Sequence, residues 1–331
     1  MPWLIFFVSS AIVVYAAIKL AEYGDVIAVR TNLGGLLVGT ILLAGATSLP
    51  ELITSVSSFS LGAPDLAAGS FFGSNMVNMF VLALVDMVNY QVPLLRGQAI
   101  TQTLTAALAV TLMTVATIFV LADVDLLIGW VSVESLLLIV LYFGGVWLVQ
   151  QEGKLDGSGP AGPEIVPAEG FPSLRRGLIG FSVASIVLVA VVPQLVQAAS
   201  DIATITGLGE SFVGTALLSI VTSLPELLAA FTAVRLGSVE LAVGNLFGSS
   251  VFNMLGLGIA DFFYLEGSFL NDISNDFALV GLFGLLLTMM ALVGNLARIE
   301  RRVLFIELDA LAIAITYLVA MYVLYLGGMG A

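Results

Sequence analysis

The chain has 331 residues, 60% hydrophobic and 10% charged, with a formal net charge of −13 and a mean hydropathy of +1.11. A soluble domain carries about 25% charged residues, so this composition excludes a water-soluble globule and points to a polytopic helical membrane protein. The absence of cysteine and histidine excludes disulfides, thiolate metal sites, imidazole proton relays and H-E-x-x-H zinc chemistry, and the acidic balance argues against nucleic acid or anionic lipid as a partner, since both need basic patches.

Apolar runs predict ten spans, near 3–21, 32–60, 66–90, 99–121, 128–150, 177–199, 208–235, 239–265, 277–297 and 304–327. The first lacks the positive flank of a signal peptide, and Lys19 follows the apolar run, so it reads as a true span. Lys19 and Arg30 fall in the first loop and Arg96 in the third. Lys154, Arg175 and Arg176 fall in the fifth, Arg235 in the seventh, and Arg298, Arg301 and Arg302 in the ninth. The positive-inside rule then places the odd loops in the cytoplasm and both termini outside, in a multi-pass cell-membrane protein. The even loops carry only acids, among them Asp65, Asp201, Glu210 and Glu266, and read as a solvated outer face. The Gly- and Pro-rich stretch 152–176 reads as a cytoplasmic linker. It divides a first five-helix repeat, 1–151, from a second, 177–331.

The two halves share a motif. Residues 38–80 and 213–255 are identical at 21 of 43 positions, without a gap, at a constant offset of 175. The matches include Thr, Pro, Glu, Gly, Ser and Asn, so shared apolar composition does not explain them. The first copy covers spans two and three, the second spans seven and eight. With five spans per half, the copies must be inverted in the membrane, the pattern of secondary transporters with a midplane site. The expected fold is an all-α integral membrane protein of ten transmembrane helices in two inverted-topology five-helix repeats.

Thr47-Ser48-Leu49-Pro50-Glu51 and Thr222-Ser223-Leu224-Pro225-Glu226 lie mid-span. A proline there removes one N–H and frees the carbonyl four residues back, here of Ala46 and Val221, so the backbone is expected to open at these points. Thr47 and Glu51 share a helix face by spacing, as do Thr222 and Glu226, Ser74 and Asn78, and Ser249 and Asn253. All these donors are oxygens, which suits hard cations with roughly six to eight ligands, Ca²⁺ above all and Na⁺ as well. A mid-membrane carboxylate usually pairs with a base. No Lys or Arg lies mid-span, so Glu51 and Glu226 must be protonated, face water or hold a mobile cation, and cation ligation is the favoured reading. Gly69-x-x-x-Gly73 and Gly244-x-x-x-Gly248 read as close helix packing. Asp86, Glu134 and Asp261 lie nearer the span ends without symmetry-related acids, and are expected to snorkel. No His, Cys or G-x-S-x-G nucleophile is present, so an embedded enzyme is not expected. Sodium-driven antiport, proton-driven or other-cation antiport, and a passive channel remain as readings of the residues.

These motifs resemble those of the sodium/calcium exchanger family of the calcium/cation antiporter superfamily, whose alpha repeats have the form G-T-S-L-P-E followed by G-S-N-x-x-N/D. The resemblance implies spans two, three, seven and eight packed around a central ion site, with spans one and six sliding across that core. It implies Thr47, Glu51, Thr222 and Glu226 as calcium ligands. It further implies Ser48, Ser74, Asn78, Ser223, Ser249 and Asn253 as ligands of flanking sodium sites, with Ala44 and Ser219 supplying backbone carbonyls. Ca²⁺ and Na⁺ are the implied transported ions, with no cofactor and no obligate protein partner besides the lipid bilayer. Three positions depart from the family pattern: Asn253 stands where many members have aspartate, Ser70 replaces an asparagine that Asn245 retains, and Ser250 replaces the asparagine of the second G-S-N. These bear on ion selectivity and stoichiometry. Proton/calcium exchangers carry G-N-x-x-E in place of S-L-P-E, so the resemblance leans toward sodium as driver.

Overall fold

The computed structural model describes residues 1–31, 45, 47–89, 94, 100–122, 124, 126–155, 172–296, 302–303 and 306–329. Helix α1 (Pro2–Arg30) is followed by α2 (Leu49–Ser60), α3 (Pro64–Val88) and α4 (Ile100–Ala122). A small hairpin, β1 (Leu127–Ile128) with β2 (Val131–Ser132), leads into α5 (Val133–Leu155). The second half opens with α6 (Leu174–Thr206). It continues through α7 (Glu210–Val213), a π-helical turn (Gly214–Leu218), α8 (Ser219–Thr222) and α9 (Leu224–Arg235). Then come α10 (Val239–Ala260) with a 3₁₀ turn (Asp261–Phe263), α11 (Phe269–Asp272) and α12 (Asp276–Leu296). A second hairpin, β3 (Arg302–Val303) with β4 (Ile306–Glu307), precedes α13 (Leu308–Leu324). Among the described residues nine segments are long and apolar enough to cross a bilayer. The tenth span is the one whose second half is α2.

The repetition extends well beyond the motif. Adding 175 to α2 gives α9 residue for residue, and adding it to β1 and β2 gives β3 and β4. The same offset carries α3 onto 239–263, α4 onto α12 to within one residue at each end, and α1 onto a stretch inside α6. The halves are also antiparallel where they meet. The start of α6 lies against the end of α1, with Gly177 on Val26 and Ile27, and Gly180 on the Tyr23 ring. The fold is therefore an all-α membrane architecture of two inverted-topology repeats.

Two hydrophobic clusters organise the packing. One is built from α1 and α6, with Leu20, Leu188, Leu195 and Ile202 fully buried, and reaches Leu218 in the π turn. The other joins α3, α4, α5 and α9–α13. Leu49 and Ile53 of α2 pack on the first cluster, Leu52 and Phe59 on the second. The half-helix α2 thus stands at their boundary.

Several expectations need correction. The first span does not end near residue 21. α1 runs on for 29 residues, about 44 Å, and α6 for 33, about 50 Å, against a hydrocarbon core of about 30 Å. Lys19 and Arg30 therefore lie within a helix, not in a loop, and Lys19 pairs one turn on with Glu22 at 2.6 Å. The fifth span starts at Val133 instead of 128, because Gly129 (φ 72°) closes a hairpin there. The expected openings at the motif prolines take the form of full breaks: Pro50 and Pro225 each stand in the first turn of a new helix.

Asp86, Glu134 and Asp261 do not snorkel. All three are buried. Asp86 Oδ1 accepts the Leu94 N–H at 2.5 Å, and Asp261 Oδ1 accepts the Phe269 N–H at 2.9 Å. Asp261 Oδ2 takes the N–H and hydroxyl of Ser132 at 2.7 and 2.8 Å, and Glu134 accepts from the Ser268 hydroxyl. Nor do these acids lack counterparts: 86 and 261 differ by 175, as do 94 and 269, while Glu134 corresponds to Asp309. Asp86 and Asp261 clamp main chain beside the spans, which satisfies buried N–H groups, while Glu134 holds a side-chain hydroxyl. The outer acids are not uniformly solvated either, since Asp65 accepts the Ser211 hydroxyl at 2.5 Å and the Ser274 N–H at 2.9 Å.

Candidate cation site

The site grows from two identical breaks. At Ser48 (φ −94°, ψ 6°) and Ser223 (φ −89°, ψ 0°) the backbone turns through the sparsely populated bridge region. Pro50 and Pro225 follow in the first turn of α2 and α9, where a missing N–H costs nothing because no intrahelical acceptor awaits it. Glu51 and Glu226 occupy the same first turns, where the helix dipole favours a negative charge. Both glutamates are buried.

Each carboxylate is held by both repeats. Glu51 lies within hydrogen-bonding reach of Ser74 on α3 and Thr222 on α8. Glu226 lies within reach of Thr47 and of Ser249 on α10, whose hydroxyl is 3.5 Å from Oε1. Adding 175 to 47 and 74 gives 222 and 249, so the two sets are images of one another. The Ser74 and Thr222 hydroxyls are themselves 3.2 Å apart. Thr222 also reaches the Ser219 carbonyl at 3.3 Å, and the Ser219 hydroxyl donates to the Thr215 carbonyl inside the π turn. The two carboxylates are close enough to repel one another. Ala44 lies outside the described residues.

This crossing of repeats needs close backbone approach, and glycine supplies it. A Cβ at Gly69 would lie 2.6 Å from the Gly214 carbonyl carbon, and one at Gly73 would lie 2.6 Å from the Thr215 oxygen. Gly69 and Gly73 therefore pack α3 onto the π turn. The corresponding partner of Gly244 and Gly248, residues 39–43, lies outside the described residues.

Six of the buried oxygens that lack a hydrogen-bond partner among the described residues are Oε2 of Glu51 and Glu226, Oγ of Ser48 and Ser223, and Oδ1 of Asn78 and Asn253. They form three pairs, each separated by 175 in number. Each of the six residues is 1% exposed. An unsatisfied buried polar group costs about 1–3 kcal/mol, more when charged. Six acceptors in two-fold order, with no basic side chain among the described residues that carry them, make an oxygen-rich cluster whose donor chemistry suits a hard cation.

Two further residues belong to it. Asn253 Nδ2 donates to Asn75 Oδ1 at 3.0 Å, and Asn78 Nδ2 donates to Ser250 Oγ at 3.4 Å. The second bond is the image of the first, since 75 and 78 become 250 and 253. Each bond turns the amide nitrogen toward the opposite repeat and leaves Oδ1 as the orphaned acceptor. Helical spacing could not single out Asn75 and Ser250, because their partners lie across the repeat boundary. The departure noted at Ser250 is thus a hydroxyl doing for Asn78 what an amide oxygen does for Asn253.

The chain matches the family model described as sodium/calcium exchanger protein over residues 1–150 and 176–326, two stretches that again start 175 apart. It is 26% identical over 254 residues to the inner membrane protein YrbG of Escherichia coli, covering 74% of each chain. Its fold is similar to that of an H⁺/Ca²⁺ exchanger CAX, with a TM-score of 0.71 at 14% identity, covering 97% of this chain and 84% of that one. It is also similar to the sodium-calcium exchanger NCX_Mj, with a TM-score of 0.61 at 18% identity over 97% of each chain.

Proposed function

The chain belongs to the sodium/calcium exchanger family, and on that basis we propose that it is a secondary active antiporter that expels Ca²⁺ as Na⁺ enters. The three pairs of orphaned oxygens around Glu51 and Glu226 carry this reading. Two carboxylates supply a charge of −2, which neutralises one Ca²⁺ or two Na⁺. Because the same oxygens would serve both, the ions exclude one another, and only a loaded, near-neutral site crosses the low-dielectric barrier cheaply. Mutual exclusion at one site is what couples two opposite fluxes. Thr47, Glu51, Thr222 and Glu226 are the proposed calcium ligands. Ser48, Ser74, Asn78, Ser223, Ser249 and Asn253 extend the set toward Na⁺, with the Ala44 and Ser219 carbonyls. The α1–α6 pair, whose hydrophobic cluster meets the core at Leu66, Val213, Leu218 and Val221, is the proposed moving unit. Ca²⁺ titrations of the purified protein test this: the apparent Kd should rise as Na⁺ is added, and a Kd indifferent to Na⁺ would contradict a shared site.

Asn75 acts in this scheme by holding the Asn253 amide. Asn75→Ala strands a buried N–H, so it should lower stability by about 1–3 kcal/mol and weaken Na⁺ competition. Asn75→Ser restores an acceptor of the kind found at 250 and should recover both properties. Thermal melting and the same titration read the two effects. A Ser variant no better than Ala would remove Asn75 from the site.

The orientation we propose puts both termini outside the cell membrane. The cytoplasmic linker 152–176 then joins a first repeat, 1–151, to a second, 177–331. Arg175 and Arg176 at the start of α6 support it by the positive-inside rule. Both Ser173 and Glu266 are exposed. In right-side-out vesicles, a cysteine at 266 should react with an impermeant thiol reagent while one at 173 stays protected. The reverse labelling would invert the topology.

A further inference from the structure

At the start of α6, Gly177 and Gly180 admit Val26 and Tyr23 of α1 in close contact. Beside that contact lies a crevice of about 600 Å³, lined on α1 by Lys19 and Tyr15 and on α6 by Arg175, Arg176, Ile179 and Val183. It opens sideways into the bilayer, since Tyr15, Ile179 and Val183 are 64%, 54% and 55% exposed. Arg175 and Arg176 stand at the start of α6, and Lys19 lies about two turns further along, level with the aliphatic Val183.

The charge concentration stands out in this chain. Of ten basic residues in a protein of net charge −13, three line this one crevice. Lys19 gives one donor to Glu22, which leaves two of its three N–H groups. Arg175 and Arg176 make no ion pair among the described residues. The crevice also holds the start of a 33-residue helix, whose first N–H groups lack intrahelical acceptors. The Ser173 side chain takes the Arg176 N–H at 3.3 Å, and the Ser173 carbonyl takes the Gly177 N–H at 3.0 Å. A guanidinium fork matches two phosphate oxygens at once. The occupant that fits has an anionic phosphate at one end and an apolar tail at the other, and reaches the site from within the membrane.

We propose that the α1–α6 crevice binds an anionic phospholipid, its phosphate on Lys19, Arg175 and Arg176 and its acyl chain along Ile179 and Val183. Basic pockets between membrane helices suit such headgroups. The lipid would be wedged between the two helices of the α1–α6 pair. The proposal needs only that the chain spans a bilayer; it is independent of which ions are exchanged.

The test uses the full-length protein extracted from vesicles of mixed phosphatidylcholine and phosphatidylglycerol, with bound lipid read by native mass spectrometry. The wild type should retain phosphatidylglycerol in preference to phosphatidylcholine. Arg175→Gln/Arg176→Gln should reduce that preference about tenfold or more, the loss of one charge-assisted hydrogen bond or its equivalent. Lys19→Gln should reduce it in the same direction, and Arg235→Gln, on a different helix, should leave it intact. Both exposed-arginine changes should keep the wild-type melting temperature. Equal retention of the two lipids by the wild type, or an unchanged preference in the double variant, overturns the proposal. So does displacement of the retained lipid by millimolar inorganic phosphate, which would assign the cations to a soluble anion.

Discussion

Glu51→Gln and Glu226→Gln are each expected to abolish Ca²⁺ transport while leaving the protein folded. Glutamine keeps the volume of glutamate and an acceptor oxygen for the neighbouring hydroxyls of Ser74 and Thr222, or of Thr47 and Ser249. What it loses is a unit charge at a buried position. In a site of low effective dielectric, that charge is worth several kcal/mol to a divalent ion within contact distance, and each 1.4 kcal/mol is about tenfold in affinity. The remaining carboxylate cannot neutralise Ca²⁺ alone. Folding should not suffer, because each variant also relieves the repulsion between the two buried carboxylates. The melting temperature without added cations should therefore equal or exceed that of the wild type. Near-normal ⁴⁵Ca²⁺ exchange in both variants would remove the glutamates from the site.

Gly73→Val is expected to cost both stability and transport. Even the first added carbon would lie 2.6 Å from the Thr215 carbonyl oxygen and 2.8 Å from the Ser219 Cβ. The obstacle includes backbone, so it cannot rotate away. Overpacking of this kind costs typically about 1–3 kcal/mol, occasionally more. Relief requires α3 to move off the π turn, which would also separate Ser74 from Thr222 and open the crossing that holds Glu51. Gly69→Val should behave alike, since its Cβ would lie 2.6 Å from Gly214 and Thr215 backbone atoms. Gly144→Ala, exposed on α5 with no atom of the described residues within 4 Å of the added carbon, should be neutral. Thermal melting and ⁴⁵Ca²⁺ flux of the three variants decide it. Wild-type flux in Gly73→Val would mean that this close approach has no part in the site.

The site was legible from sequence because its chemistry contrasts with its background. Thr, Ser, Pro, Glu and Asn in an apolar helix stand out, and their recurrence 175 residues later cannot come from composition. The rest of the duplication was not legible for the opposite reason. α4 and α12 conserve only apolar bulk, which many sequences satisfy, and the hairpins before α5 and α13 are two residues per strand. Asp86 and Asp261 were misread because a carboxylate near a span end is usually drawn to water; here each finds buried main-chain N–H groups instead. Asn75 and Ser250 escaped because spacing along one helix reveals faces, and contacts between repeats only appear once the two halves are docked. Lys19 follows the apolar run, yet α1 continues to Arg30, with Tyr23 and Val26 packed on Gly180 and Gly177 of α6.

Proteoliposomes loaded with Na⁺ and diluted into Na⁺-free medium containing ⁴⁵Ca²⁺ put the exchange itself on trial. Uptake of Ca²⁺ should follow the outward Na⁺ gradient, collapse when Na⁺ is equalised, and be absent from Glu226→Gln. Uptake that ignores the Na⁺ gradient and follows an imposed pH gradient would make the driver a proton, and uptake that needs neither gradient would make the protein a passive channel.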